Sequence, residues 1–267
     1  MREALKEMII GAGYEVTEQE VFKGSAKMTG WVIKSEASNV APTIYISEFD
    51  DMDDEEAFER IMNLVERNPE FKFDRDMLLW SNVKDKVFLG IRRELPEDEN
   101  TITQKVLDME LTVKIPIDRL MEDGMASVTL NKSTLQFIQE NEPYLTVEDI
   151  FETAKRNTEY CGPSNLGLPD FILETLNIIT NTKSLYGASV FGNADYLAEY
   201  CKGKGYNEMY ILPSSVHEVL CMFDPELSVD ELRTMVRTVN ATEVAPQEQL
   251  SDNVYYFNAE TRELKIA

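Results

Sequence analysis

The stretch NEMYILPSSVHEVLCMF, residues 207–223, predicts two neighbouring β-strands joined by a tight turn. NEMYILP (207–213) and SVHEVLCMF (215–223) are both rich in apolar, aromatic and β-branched residues, which favour strands. Pro213 and Ser214 are typical of a turn, because proline presets its backbone angle and serine hydroxyls satisfy nearby backbone groups. Two strands this close in sequence are expected to pair as a hairpin.

The same pattern of adjacent strands recurs along the chain. Three further pairs are predicted, at YEVTEQEVF (14–22) with GWVIKS (30–35), VLDMELTVKIPI (106–117) with MASVTLN (125–131), and LNIITNT (176–182) with LYGASVF (185–191). Helices separate the pairs, and Thr146 with Asp149 and Ser228 with Glu231 resemble capping boxes that open two of them. The order favours an α+β fold, with mixed or mainly antiparallel sheets and helices packed on one side.

The domain organisation is predicted from composition. Residues 1–94 are expected to form a small N-terminal α+β lobe, and residues 105–267 a larger α+β region. ELPEDENTITQ (94–104) is acidic, contains a proline and lacks periodicity, so residues 95–104 are predicted to be a linker or long loop. A chain of 267 residues is long enough for one large domain or two small ones.

The charge balance narrows the classes of partner. The chain has 49 Asp and Glu against 26 Lys and Arg, a net charge of -23. Such a surface repels nucleic-acid phosphates and anionic membranes, whose binding relies on clustered Lys and Arg. No apolar run approaches the roughly 18 residues that a membrane helix needs. We therefore expect neither direct nucleic-acid nor membrane binding. The acidity favours solubility, a steering surface for a basic partner, or a nucleic-acid mimic.

Signatures of cofactor or metal sites are incomplete in this sequence. The three cysteines, Cys161, Cys201 and Cys221, are far apart and odd in number, which predicts free thiols in a cytoplasmic protein. GAG (11–13) is too short for a dinucleotide fingerprint. The acidic EFDDMDDEEAFER (48–60) lacks the central glycine of a calcium loop, and Asp53 or Asp54 is expected to cap a helix there. No cofactor and no metal are predicted.

His217, the only histidine, is the one residue on which any histidine chemistry must depend. Strand alternation would place Ser215 and His217 on one face and Glu218 on the other, so an orienting acid would have to come from elsewhere, for example Asp252. Cys161 is a second candidate nucleophile, if it meets His217 in space. The alternative is a structural histidine bonded within the turn.

Several stretches resemble a known family. YILPSSVHEVL (210–220), VNATEVAP (239–246) and LSDNVYYF (250–257) are similar to uncharacterised proteins common in gut Firmicutes, grouped as domain of unknown function 5688. PTIYISEF (42–49) and ITNTKSLYGAS (179–189) also resemble it. The resemblance implies a bacterial, cytoplasmic protein without an established activity, and it carries over no catalytic residue.

Two functions of different classes follow. The first is a non-enzymatic acidic module that binds another protein, which the absence of a complete catalytic signature favours. The second is a hydrolase-like enzyme that uses Ser215 or Cys161 with His217, and it requires a nucleophile within about 2.6–3.2 Å of an imidazole nitrogen. A nucleic-acid mimic that blocks a basic partner is a weaker third. The sequence leaves the oligomeric state open.

Overall fold

The computed structural model describes residues 2–35, 41–66, 72–117, 127–162 and 177–267. The chain divides into two compact units. Unit 1 comprises Met1–Lys23, Lys27–Met77 and Ile117–Ala126, and unit 2 comprises Gly24–Ala26, Leu78–Pro116 and Ser127–Ala267. Among the described residues, no helix combines the length and the apolar character that crossing a membrane requires.

Unit 1 packs two helices against a small sheet. Helices α1 (Glu3–Gly11) and α2 (Asp54–Val65) accompany strands β1 (Glu15–Lys23), β2 (Ala26–Lys34) and β3 (Thr43–Tyr45), in the order β1-β2-β3. The core includes the buried side chains of Leu5, Ile9, Trp31, Ile33, Phe49 and Ile61. Asp53 caps α2 by accepting hydrogen bonds from the backbone N–H groups of Glu55 and Glu56, as predicted for the acidic stretch.

Unit 2 contains two sheets. The four-stranded sheet has the order β4-β6-β5, with β7 also paired to β6. The six-stranded sheet has the order β13-β12-β10-β11-β9-β8. The strands are β4 (Phe88–Arg93), β5 (Thr103–Val106), β6 (Met109–Pro116), β7 (Ser127–Thr129), β8 (Tyr160–Cys161), β9 (Ile178–Asn181), β10 (Glu208–Pro213), β11 (Val219–Met222), β12 (Tyr255–Asn258) and β13 (Glu263–Ile266).

Five α-helices are described in unit 2. They are α3 (Trp80–Val83), α4 (Lys132–Asn141), α5 (Val147–Asn157), α6 (Ala194–Gly203) and α7 (Val229–Thr242). Thr146 with Asp149 forms the capping box of α5, and Ser228 with Glu231 forms that of α7. The strand pairs with a described register in both units are antiparallel, so the predicted α+β class with mainly antiparallel sheets is confirmed.

The six-stranded sheet carries helical segments on both faces, where the sequence predicted one. Leu212 of β10 packs against Leu232 and Val236 of α7. The neighbouring residue Ile211 lies opposite Tyr255, whose ring contacts Phe191 of the 3-10 helix Gly187–Gly192 with centroids 4.8 Å apart. Since successive strand residues point to opposite faces, α7 and this 3-10 helix cover different sides.

The division into units also differs from the predicted boundary at residue 94. Strand β4 pairs with β6 along its whole length, from Phe88 opposite Lys114 to Arg93 opposite Met109. Long-range pairing of this kind is not visible in a local pattern, so β4 joins unit 2. The segment predicted as a linker, 95–104, is ordered too: Asp98 accepts hydrogen bonds from the N–H groups of Asn100 and Thr101, and β5 begins at Thr103.

Candidate functional site

The loop that contains His217 joins β10 to β11. Pro213 pairs with Val219, so residues 214–218 lie in the connection and strand β11 starts four residues later than predicted. The backbone N–H groups of Ser214 and Ser215 both donate to the carbonyl of Glu218, and this closes the loop. The alternation argument for Ser215 and His217 therefore does not apply, because neither residue is in a strand.

Both nitrogens of the His217 imidazole already face polar groups. Nδ1 accepts a hydrogen bond from the backbone N–H of Tyr186 at 3.2 Å, so the ring proton of a neutral imidazole lies on Nε2. Nε2 lies 3.6 Å from Oε1 of Glu248. In this arrangement the imidazole has no open nitrogen with which to take a proton from a hydroxyl or thiol.

In the part of the chain that the structure describes, Ser215 bonds to the backbone of His217 and not to its imidazole. Its Oγ accepts a hydrogen bond from the backbone N–H of His217 at 3.0 Å, which is the local turn bond expected of a serine in a loop. Asp252, the candidate orienting acid, accepts a hydrogen bond from Nδ2 of Asn240 at 2.8 Å instead. Within the described contacts, the structure does not bring Ser215, His217 and Asp252 together as a triad.

Cys161 lies in β8, opposite Thr180 of β9. Burial raises the pKa of its thiol, which favours the less nucleophilic protonated form. All three cysteines are free thiols. In the part of the chain that the structure describes, no group of three or more His, Cys, Asp and Glu side chains could hold a metal ion.

A buried cluster beside His217 was not anticipated from the sequence. The Lys114 side chain, on β6, is buried, and its Nζ donates a hydrogen bond to Oγ1 of Thr129 at 2.9 Å. The same Nζ lies 4.3 Å from the centre of the Tyr186 ring, and that ring lies 5.6 Å from the imidazole. His217 therefore belongs to an aromatic and cationic group of side chains: Lys114, Tyr186 and His217.

A second feature is an open cleft of about 720 Å³ at the start of α7. Its lining includes Tyr206, Tyr210 and Leu227, and the acidic residues Glu208 and Asp224. The carboxylate of Glu208 also accepts a hydrogen bond from Nδ2 of Asn258 at 3.4 Å. Tyr206 is 44% exposed and Leu227 is 39% exposed, which is high for large apolar side chains. We refer to this feature as the α7 cleft.

Comparison with known proteins bears on residues 169–259. They match the model of a family of unknown function, DUF5688, which agrees with the resemblance carried by 210–220, 239–246 and 250–257. The comparison with curated proteins gave no match, and neither did the comparison with solved structures. The matched segment includes the His217 loop, Tyr186 and the whole α7 cleft. Residues 169–259 of this chain are thus similar to the family of unknown function DUF5688.

Proposed function

We propose that this chain is a non-enzymatic acidic module whose α7 cleft binds a basic segment of another protein. The observation that carries the proposal is the cleft itself, with exposed tyrosine and leucine side chains beside two carboxylates. Binding sites commonly combine apolar walls with a few placed polar groups, and tyrosine is enriched where proteins recognise one another.

The cleft is open because helix α7 covers only part of the sheet. Alternation along β10 places Glu208, Tyr210 and Leu212 on the same face. Helix α7 packs on Leu212 through Leu232 and Val236. The helix begins at Val229, and the cleft lies beside that first turn and the Glu208 end of the strand. Exposed apolar surface at such a position is typical of an interaction site.

The charges favour a basic partner segment. Glu208 and Asp224 line the cleft, and the whole chain has a net charge of -23. A field of this sign speeds the approach of cations and repels phosphate-rich partners. Arginine and lysine in a peptide could pair with the two carboxylates while apolar residues contact Tyr206 and Leu227.

Two further features support a binding role in the bacterial cytoplasm. The polar surroundings of the imidazole of His217 favour a structural role over a hydrolytic one. The three unpaired thiols suit a reducing compartment. A bacterial origin is what the family resemblance implies.

The test measures fluorescence anisotropy with a labelled peptide of alternating arginine and leucine. The double variant Tyr206→Ala/Leu227→Ala should weaken binding about 10-fold or more, because each truncation removes apolar contact worth on the order of 1 kcal/mol. Tyr144→Ala is the matched control, since Tyr144 is 96% exposed and lies outside the cleft. Equal affinity for all three proteins would contradict the proposal.

Two further double variants distinguish the effect of the two acidic residues in the cleft from the effect of net charge. Glu208→Gln/Asp224→Asn removes both cleft carboxylates, and asparagine tolerates the left-handed backbone at Asp224 (φ 48°). Asp85→Asn/Glu260→Gln changes the net charge equally at exposed positions outside the cleft. We expect only the cleft pair to weaken peptide binding strongly. Equal losses from both pairs would favour the nucleic-acid mimic, in which total charge governs binding.

A further inference from the structure

The amine of Lys114 is buried without a carboxylate partner among the described residues. The residue is 8% exposed, and its Nζ contacts Oγ1 of Thr129 and the face of the Tyr186 ring. The carboxylates of Asp98 and Glu110 bind the guanidinium of Arg92 instead. Burying an ammonium without a counter-ion costs free energy, so the position calls for a physical explanation beyond stability.

The surroundings of the amine favour its neutral form. Burial, reinforced by the positive charge of Arg92, lowers the pKa of Lys114 to about 8. At pH 8 about half of such amines are neutral, against roughly 0.4% for an amine with the ordinary lysine pKa of about 10.4. The lone pair of the nitrogen is then available for attack on an electrophile.

A hydroxyl with no hydrogen-bond partner lies next to the lysine side chain. Thr112 is 1% exposed, and within the described structure its Oγ1 has no partner. A Cβ added to Gly90 would lie 2.5 Å from this oxygen and 2.6 Å from Cε of Lys114, so the glycine gives both groups their place on the sheet. A buried hydroxyl normally finds a partner, so this oxygen is free to form a hydrogen bond with a bound ligand.

Tyr186 forms a wall over the amine, and His217 positions it. The backbone of Tyr186 is left-handed (φ 61°), a conformation that is unfavourable for a tyrosine. The hydrogen bond from its N–H to Nδ1 of His217 helps hold it there. Tyr186 and Thr129, the two contacts of the amine, are both partly exposed. The amine therefore lies beneath two side chains that are themselves partly exposed.

We propose that Lys114 forms an imine with a small, uncharged aldehyde or ketone. The neutral amine adds to the carbonyl carbon, and one proton moves from nitrogen to oxygen to give a carbinolamine. Loss of that hydroxyl with a second proton releases water and leaves the C=N bond. Thr112 Oγ1 donates a hydrogen bond to the carbonyl oxygen in the first step. No oxidant, reductant or metal is needed.

The class of carbonyl compound follows from charge and shape. Arg92, whose charge contributes to the lowered pKa of Lys114, is neutralised by its two carboxylates and is not available for an anionic substrate. The chain as a whole, with its charge of -23, repels anions. The aromatic face of Tyr186 suits a small apolar substituent. A neutral aliphatic carbonyl compound fits these features better than a keto acid.

The experiment traps the imine by reduction. Wild-type protein is incubated with propanal and cyanoborohydride at pH 8, and the alkylated lysines are located by peptide mass spectrometry. We expect Lys114 to be labelled at least about 10-fold faster than any exposed lysine, allowing for its limited access, and its rate to rise through pH 8. Labelling confined to exposed lysines, or labelling of Lys114 only in urea, would overturn the proposal. This comparison needs no variant.

Two variants test the role of the Thr112 hydroxyl, and a second carbonyl compound tests the preference for an uncharged ligand. Thr112→Val keeps the shape of the side chain and should slow labelling of Lys114 about 5-fold or more, while Thr153→Val, outside the cluster, should not. Circular dichroism checks that both fold. Pyruvate should label Lys114 more slowly than propanal. Faster labelling by pyruvate, or an unchanged rate in Thr112→Val, would count against the assigned ligand and against the role of the hydroxyl.

Discussion

Lys114 shows how a residue with an ordinary local pattern acquires unusual properties. The segment ELTVKIP (110–116) alternates polar and apolar residues, which is typical of a strand with one face in water. Instead Arg92, Thr112 and Lys114 on the polar face are all at most 8% exposed. The pattern predicts which side chains share a face, but only the tertiary packing determines whether that face is covered.

His217 also shows that the local sequence does not determine the contacts of a side chain. As the only histidine it is the candidate for catalysis that the sequence offers, and the sequence also allows a structural bond within its own turn. The partner of Nδ1, however, is the N–H of Tyr186, 31 residues away in sequence. A bond over that separation has no local signal, so the chemistry of His217 could not be read from its neighbours.

The low pKa of Lys114 predicts a pH dependence of stability. Because the folded pKa of about 8 lies below the ordinary value of 10.5, the unfolded chain binds the proton more tightly. The folded state is therefore penalised below pH 8, and stability is recovered as the pH rises from about 8 to about 10.5, by on the order of 3 kcal/mol. In Lys114→Met this gain should be missing.

Urea unfolding of wild type and Lys114→Met at intervals between pH 7 and pH 10.5 measures the effect. The free-energy difference between the two proteins isolates Lys114 from the tyrosines that ionise in the same range. Lys202→Met is the control, because Lys202 is exposed on α6 and its loss should leave the wild-type slope. Parallel curves for wild type and Lys114→Met would show that the amine is not penalised by burial.

Local sequence patterns predict those helix ends and turns that are stabilised by residues close in sequence. The capping boxes at Thr146 and Ser228 and the hairpin around Pro213 could be predicted, because each is satisfied by residues close in sequence. LYGASVF (185–191), predicted as a strand, contains the start of a 3-10 helix at Gly187 instead. Its apolar residues fit a strand and a buried turn equally well, so composition did not distinguish them.

Gly187, the first residue of that 3-10 helix, lies in close contact with backbone atoms of two other segments. A Cβ at this position would lie 2.5 Å from the carbonyl oxygen of His217, 2.5 Å from Cα of Thr180 and 2.7 Å from the backbone nitrogen of Asn181. All three are backbone atoms and cannot rotate away. We expect Gly187→Ala to lower the free energy of unfolding by roughly 1–3 kcal/mol, as overpacking does.

Gly203→Ala is the matched control for this prediction. Gly203 ends α6, and nothing lies within 4 Å of an added Cβ. Alanine there should be neutral or stabilising by up to about 1 kcal/mol, since it restricts the unfolded chain and favours the helix. Urea denaturation followed by circular dichroism compares the two variants. Equal stabilities would mean that the His217 loop moves to accommodate the methyl group.

The succession of strands and helices predicted the fold class, but it did not predict how the chain divides into two units. Helices and mainly antiparallel sheets followed from the succession of strand pairs. The sequence did not predict where the chain divides. Strand β4 pairs with β6 in unit 2, whereas residues Lys27–Met77 belong to unit 1. Which unit a segment belongs to depends on long-range strand pairing, and composition and periodicity do not predict such pairing.

Net charge is the property of the whole molecule that makes the clearest prediction. At -23, the carboxylates repel one another more in the compact state than in the unfolded chain, so screening should stabilise the fold. Raising NaCl from 10 to 150 mM shortens the Debye length from about 30 to about 8 Å. We expect the Tm to rise by about 2–4 °C over this range, which corresponds to about 1 kcal/mol.

Differential scanning calorimetry at fixed pH measures this rise, and NaBr serves as the control. Screening depends on ionic strength alone, so both salts should give the same curve below 150 mM and flatten above it. A continuing difference between the salts would indicate ion-specific effects. A fall in Tm would mean that attractive pairs, such as Arg92 with Asp98 and Arg2 with Asp54, outweigh the repulsion.

Peptide binding to the α7 cleft should weaken over the same range of NaCl concentration. Screening that relieves repulsion within the chain also weakens the field that attracts a basic partner.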